Sequence, residues 1–196
     1  LYRRIQPPAG LLHGPAGRAS ETRSVVAGTQ DLLFDSWMRC KRRFRLRHFR
    51  GHGVHSPFAY ALVRQVYMKR RRLPREGAVY TAVREQGGTV RQARLVQAVY
   101  DYTECGQCYV DGAPLATHDS HRTHRAMHIV TPGAAIGQEL RPGEEDIACV
   151  LSPTAGKARY RNCLDAVRGH EGMSIDCRSV LFLFGRDGLN KEHIQL

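Results

Sequence analysis

The chain has 196 residues, of which 42% are apolar and 24% charged, with a formal net charge of +12. This composition fits one modest folded domain and excludes a chain disordered throughout. There is no run of about 18 apolar residues for a membrane span, and the first thirty residues lack a signal peptide's apolar core, so a cytoplasmic location is expected.

The charge is concentrated. Met38 to Arg75 holds thirteen Lys/Arg and no acidic residue, one positive charge more than the whole chain's +12, so the remainder is near neutral. Such a field attracts nucleic acid, acidic lipid or an acidic partner; the plainer reading is a solvated face that keeps a small protein soluble. Six cysteines (Cys40, Cys105, Cys108, Cys149, Cys163 and Cys177) are spread thinly through a chain long enough to build a core, which favours reduced thiols over a disulfide framework.

Residues 1–30, rich in Gly, Pro, Ala and Arg without a sustained period, are expected to form a flexible arm, an upstream extension ahead of Met38. Residues 31–75 read as a basic helical segment. Its first helix starts near Asp31, with Leu33, Trp37, Cys40 and Phe44 on one apolar face and arginines on the other. Next come Ser56, a good N-cap, and Pro57, preset for the first helical position, with Phe58, Leu62 and Val66 sharing a face behind them.

Residues 76–196 read as an α/β domain. A helix is predicted over "VRQARLVQAVYDY", capped by Thr89 and burying Val96, Val99 and Tyr100. Short apolar strands follow in "QCYVDG", "AMHIVTPG", "DIACVLSP" and "SVLFLFG", and "EHIQL" could add a last one. A helix marked by Tyr160, Cys163, Leu164 and Val167 lies among them. Helices alternating with fully apolar strands predict a sheet covered on both faces.

Chemical signals are sparse. Cys105 and Cys108, followed by His118, His121, His124 and His128, have zinc-like residue types, but Cys108 opens a strand and a second C-x-x-C is lacking, so no metal site is expected. His52 and His55 have the pKa range of an acid/base pair, yet no nucleophile accompanies them. "DGAPLATHD" occupies the strand-to-loop turn where α/β folds hold ligands, although both G-x-G-x-x-G and G-x-x-x-x-G-K are absent.

"RGHGVHSPFAYALV", residues 50–63, resembles the N-terminal signature of class I S-adenosylmethionine-dependent methyltransferase-like proteins of Bacteroidetes, carried here by His52, Gly53, His55, Ser56, Pro57 and Phe58. "RQARLVQAVYDY" is similar to that family's helix before its first strand. "YRNCLDAVRGHEGMSIDCRSVLFLFGRDGLNKEHIQL" is similar to its C-terminus. The resemblance implies a Rossmann-like sheet of the class I methyltransferase type preceded by basic helices, S-adenosylmethionine as cofactor, and cofactor contacts from Asp111, Gly112 and Leu115.

The middle of the chain departs from the family. Val110 stands at its acidic position, Ala116 at its second glycine, Thr131 and Pro132 where a ribose-binding acid would end the second strand, and Ser152 at a late aspartate. The span from Gly112 to Asp146 is little longer than one βαβ unit of about 30 residues, so a reduced sheet is expected. The resulting expectation is a methyltransferase-like protein with an eroded cofactor site, active only if that site survives. Its acceptor is unidentified, with His118, Asp119 and His121 near the mouth. The alternative is a nucleic-acid-binding module in residues 39–75, using Arg42, Arg43, Arg45, Arg47 and Arg50, with Phe44, Phe49 and Tyr60 available for stacking.

Overall fold

Ser56 starts helix α1 (Pro57–Leu62) as its side chain predicts: the hydroxyl accepts from the Ala59 N–H at 3.3 Å, and Pro57 takes the first helical position. The structure is a computed structural model, and it describes residues 33–34, 36–38, 40, 56–69, 72–116, 123–137, 140–185 and 188–196. The arm 1–30, Arg42, Arg43, Arg45, Arg47, Arg50, His52, Gly53, His55, His118, Asp119 and His121 lie outside the described residues. Beyond Leu62 the chain continues as a π-helical turn (Val63–Tyr67), and Leu62, Val63, Val66 and Tyr67 are all buried. Phe58 packs against the rings of Tyr102 and Phe184, 6.1 and 5.7 Å between centroids.

Helix α2 (Ala78–Glu85) carries no strong local signal, and the sequence pattern does not predict it. It begins at Gly77, at φ +132°, and has no cap of its own; the Oε1 of distant Gln97 accepts from the Tyr80 N–H at 2.9 Å. Helix α3 (Val90–Tyr102) is the predicted one. The Thr89 hydroxyl accepts from the Gln92 N–H and the Gln92 side chain accepts from the Thr89 N–H, a reciprocal capping box, and Val96, Val99 and Tyr100 are buried.

The rest of the chain builds one seven-stranded mixed sheet, an α/β arrangement consistent with a Rossmann-like fold. Its strands are β1 (Cys105–Val110), β2 (Ala113–Pro114), β3 (Thr123–Val130), β4 (Ile147–Leu151), β5 (Met173–Asp176), β6 (Val180–Phe184) and β7 (Glu192–Gln195), in the order β2-β1-β3-β4-β6-β5-β7. β1, β3 and β4 run parallel; β6 is antiparallel to both β4 and β5, and β7 is parallel to β5. Among the described residues no α-helix joins β1 to β3 or β3 to β4, and helix α4 (Lys157–Gly169) follows only after β4.

Two cores lie on opposite faces of the sheet. Beneath α1, α2 and α3, a large cluster gathers Cys105, Cys108, Met127, Ile129, Cys149, Ile175 and Phe182. On the other face Val130, Ala148, Val150, Leu181 and Leu183 meet Leu140 and Cys163 of α4. Of the four residues expected to mark α4's buried face, only Cys163 is fully buried. At the β1–β3 edge of this second face Tyr109 stacks on His128, 5.0 Å apart and 7° from parallel.

The N-terminal helix is present, since residues 33–34, 36–38 and 40 are helical, but its orientation reverses the expected one. Met38 is buried and Phe34 lies 5.8 Å from the Tyr160 ring on α4, whereas Leu33 and Trp37 are 72% and 56% exposed. Cys40 is exposed too. Among the described residues no helix is long and apolar enough to cross a membrane.

If the Ser56 hydroxyl anchors α1 against the core, Ser56→Ala should lower the unfolding free energy by about 1 kcal/mol. Urea denaturation measures this, and an unchanged midpoint would show the cap to be idle.

Candidate functional site

Because β1, β3 and β4 are parallel, their carboxyl ends, Val110, Val130 and Leu151, meet at one edge of the sheet. In open α/β folds that edge is where ligands bind. Here it is filled by the protein's own side chains. Asp111, at φ +50°, holds Thr131 doubly: its Oδ1 accepts from the Thr131 N–H at 2.8 Å and its Oδ2 from the Thr131 hydroxyl at 2.6 Å. Thr131 itself is buried.

Arg159, from the first turn of α4, occupies the space between strand ends. Its Nη1 donates to Ala134 O at 2.7 Å. Its Nη2 donates to Thr131 O at 2.8 Å and Leu151 O at 3.0 Å, with Val130 O at 3.5 Å, and its Nε donates to Ser152 O at 3.2 Å. One planar fork of five N–H donors thus serves carbonyls at the ends of two strands and in the loop after β3. Burial lowers its pKa from the ordinary arginine value, opposed by neighbouring Cys163 and Asp111; the guanidinium stays charged. Next to it the Ser152 hydroxyl accepts from Gln92 Nε2 at 2.9 Å, and the same amide donates to Ser179 O at 2.8 Å, so α3 is tied to the ends of β4 and β6.

Of the three positions expected to hold a cofactor, Asp111 and Gly112 follow the end of β1 at this edge and Leu115 comes after β2, each engaged by the chain itself. Asp111 spends both carboxylate oxygens on Thr131. Gly112, at φ +82°, completes a two-residue turn with Asp111, both at positive φ as a type I′ hairpin requires, and the chain runs straight back as β2. A Cβ built on Gly112 would meet nothing within 4 Å, so glycine is there for its backbone angle. The Leu115 N–H donates to Cys108 O at 2.8 Å, and its side chain packs against the main core. Of the signature residues, Ser56 caps α1, the exposed Pro57 opens it, and Phe58 packs it against Tyr102 and Phe184.

Of the zinc-like grouping, His118 and His121 lie outside the described residues. Cys105 and Cys108 are both buried in the helix-covered core, and between Cys105 and Gln107 the β1–β3 register shifts, two steps on β1 being matched by three on β3. His128 lies on the other face, its Nε2 3.7 Å from Asp146 Oδ2 and beyond hydrogen-bond range, while Asp146 Oδ1 accepts from the Ala126 N–H at 2.9 Å. Among the described residues no group of three or more His, Cys, Asp or Glu could hold a metal ion. Burial first, then Cys105, pushes the Cys108 thiol up to about 12, and burial likewise lifts Cys149 and Tyr67 well above their ordinary values. These groups are protonated core residues, not nucleophiles.

A groove of about 770 Å³ lies at the opposite end of β4, between Leu140–Glu144 and the carboxyl end of α4. Arg159 is the residue that sequence reasoning missed. Nothing in "KARYRNC" distinguishes it from a solvated helix arginine, because its partners are backbone carbonyls up to 29 positions away. Compared with protein-family models, curated proteins and solved structures, the chain matches none.

Arg159→Lys should lower stability by about 2 kcal/mol, because an ammonium keeps the charge but cannot span the carbonyls that a fork reaches. Urea denaturation checks it, and a variant as stable as the parent would show the fork to be dispensable. Alkali offers a second test. Cys108 keeps its proton when folded until about pH 12, whereas an unfolded thiol releases it near 9.0. Its contribution is therefore full below the unfolded value and is lost as pH rises toward 12. Unfolding free energy should fall from about pH 9 upward, and Cys108→Ala should flatten that fall; equal slopes would assign it to other groups.

Proposed function

We propose that the chain is a methyltransferase-like α/β domain whose cofactor crevice is closed by its own side chains, and that it works as a binding module without methyl transfer. One observation carries this reading: the Arg159 guanidinium sits at the carboxyl ends of β3 and β4, hydrogen-bonded to carbonyls on both sides. Methyl transfer needs little beyond proximity and orientation of cofactor and acceptor, so an enzyme that cannot seat the cofactor has lost its main means of catalysis. The resemblance at the two ends of the domain supports descent from the family.

Three further details agree. The carboxylate of Asp111, the acid that follows β1, is bound to Thr131 and unavailable for ribose hydroxyls. Thr131 and Pro132 follow β3 where a second acid would be needed. Gly112 belongs to a hairpin, so no helix N-terminus follows it directly to receive a charged ligand.

Calorimetric titration of the full chain with S-adenosylmethionine and S-adenosylhomocysteine tests the reading. The expected result is no heat and no shift in melting temperature at millimolar ligand, from a preparation that melts cooperatively without ligand. Micromolar binding that Gly112→Trp weakens would overturn it and restore an active cofactor site.

A further inference from the structure

The apolar stripe that the helical period marks for burial is the one left in solvent. Leu33 and Trp37 lie one turn apart and are 72% and 56% exposed, while Phe34 and Met38, a step round the helix, take up the contact with α4. Between this helix and α4 runs a groove of about 410 Å³, lined by Phe34, Trp37 and Met38 on one side and by Lys157, Arg161, Leu164 and Arg168 among the residues of the other. Lys157, Arg161 and Arg168 are exposed; Asp165, the acid in the same groove, is paired to Arg168 at 3.2 Å. The sequence then runs on from Arg39 to Arg50 with seven Lys/Arg and no Asp or Glu.

We propose that the helical residues 33–34, 36–38 and 40 and the basic side of α4 form a docking surface for the headgroup layer of an anionic lipid bilayer. A bilayer interface answers both demands of this surface at once. Its acyl boundary accepts an aliphatic side chain and a tryptophan, whose ring is favoured at that depth, and its phosphates and carboxylates meet the flanking cations. Runs of four to eight Lys/Arg beside an amphipathic helix gain attraction from each charge near an anionic leaflet. A nucleic-acid backbone satisfies the charge and could stack on Trp37, but it gives exposed Leu33 nothing. A second copy of the chain would bring the same positive field against itself. The surface involves neither Arg159 nor the strand ends, so its test is independent of the closed crevice.

Trp37 is the one tryptophan in the chain, so its fluorescence reads this surface directly. The full chain is titrated with vesicles of phosphatidylcholine alone and of phosphatidylcholine with phosphatidylserine, and binding is measured in parallel by co-sedimentation. The expected result is a blue shift and partitioning about tenfold or more stronger on the anionic vesicles, both weakened by high salt. Leu33→Ser should lower partitioning severalfold with an unchanged melting temperature, and Arg161→Glu with Arg168→Glu should do the same while leaving the emission of the free protein as it was. No shift on either vesicle overturns the proposal, as does equal binding to neutral vesicles. A shift produced by duplex DNA or RNA but not by vesicles would make the partner a nucleic acid. A shift that grows with protein concentration alone would make it a second copy.

Discussion

The carboxyl edge of a parallel sheet ends in backbone carbonyls that need donors, and this structure meets the need with one side chain. Arg159 serves the ends of β3 and β4 and the loop after β3 together. An unpaired buried carbonyl costs about 1–3 kcal/mol, so leaving several of them without a partner would offset much of a small domain's stability. A charged guanidinium pays a desolvation cost in doing so, and the Asp111 carboxylate beside it lessens that cost. The position of α4 follows from the same bonds, because the helix must begin close enough to β4 for its third residue to reach back over the strand end. Gln92 does comparable work one layer away, closing its own helix cap with one amide atom and tying Ser152 and Ser179 with the other.

How much of this was legible in the sequence depends on the range over which each element is determined. Ser56-Pro57, the Thr89 and Gln92 capping box and the apolar run "VLFLF" carry their instructions within a few residues, and the structure places α1, α3 and β6 accordingly. Helix α2 was not readable because its first turn is capped by Gln97, from a different helix. The Asp111-Gly112 turn was visible, but not the two-residue strand after it, since Ala113-Pro114 has no strand character until β1 is there to pair with. The candidate site fared worst: Arg159, Thr131 and Asp111 are brought together by topology, and no spacing in the chain announces them.

Where the pattern was visible its direction could still be wrong. Periodicity says that a helix has an apolar side, but the period advances about 100° per residue, so the stripes through Leu33 and through Phe34 differ by a single step. Tyr160 and the groove on α4 select Phe34 and Met38. On β1 the fold likewise decides what spacing leaves open, since Cys105 and Cys108 are both core residues under the helices. On the N-terminal helix the third dimension reassigns the side chains; on β1 it keeps Cys108 in the buried strand that the sequence predicts.

That reassignment, with the closed strand ends, shifts where interaction chemistry is available. The sheet's edge offers few unsatisfied groups once Asp111, Thr131, Ser152 and Arg159 have bonded to one another and to the backbone. Its thiols are buried and protonated. What remains open to a partner is on the helical side of the second face, where an exposed leucine and tryptophan border exposed lysine and arginine. A sheet that joins β1, β3 and β4 without intervening helices among its described residues has less covering to build a crevice from. It keeps its stability through backbone satisfaction at the edge, and the exposed apolar and basic groups of the N-terminal helix and α4 lie apart from those bonds.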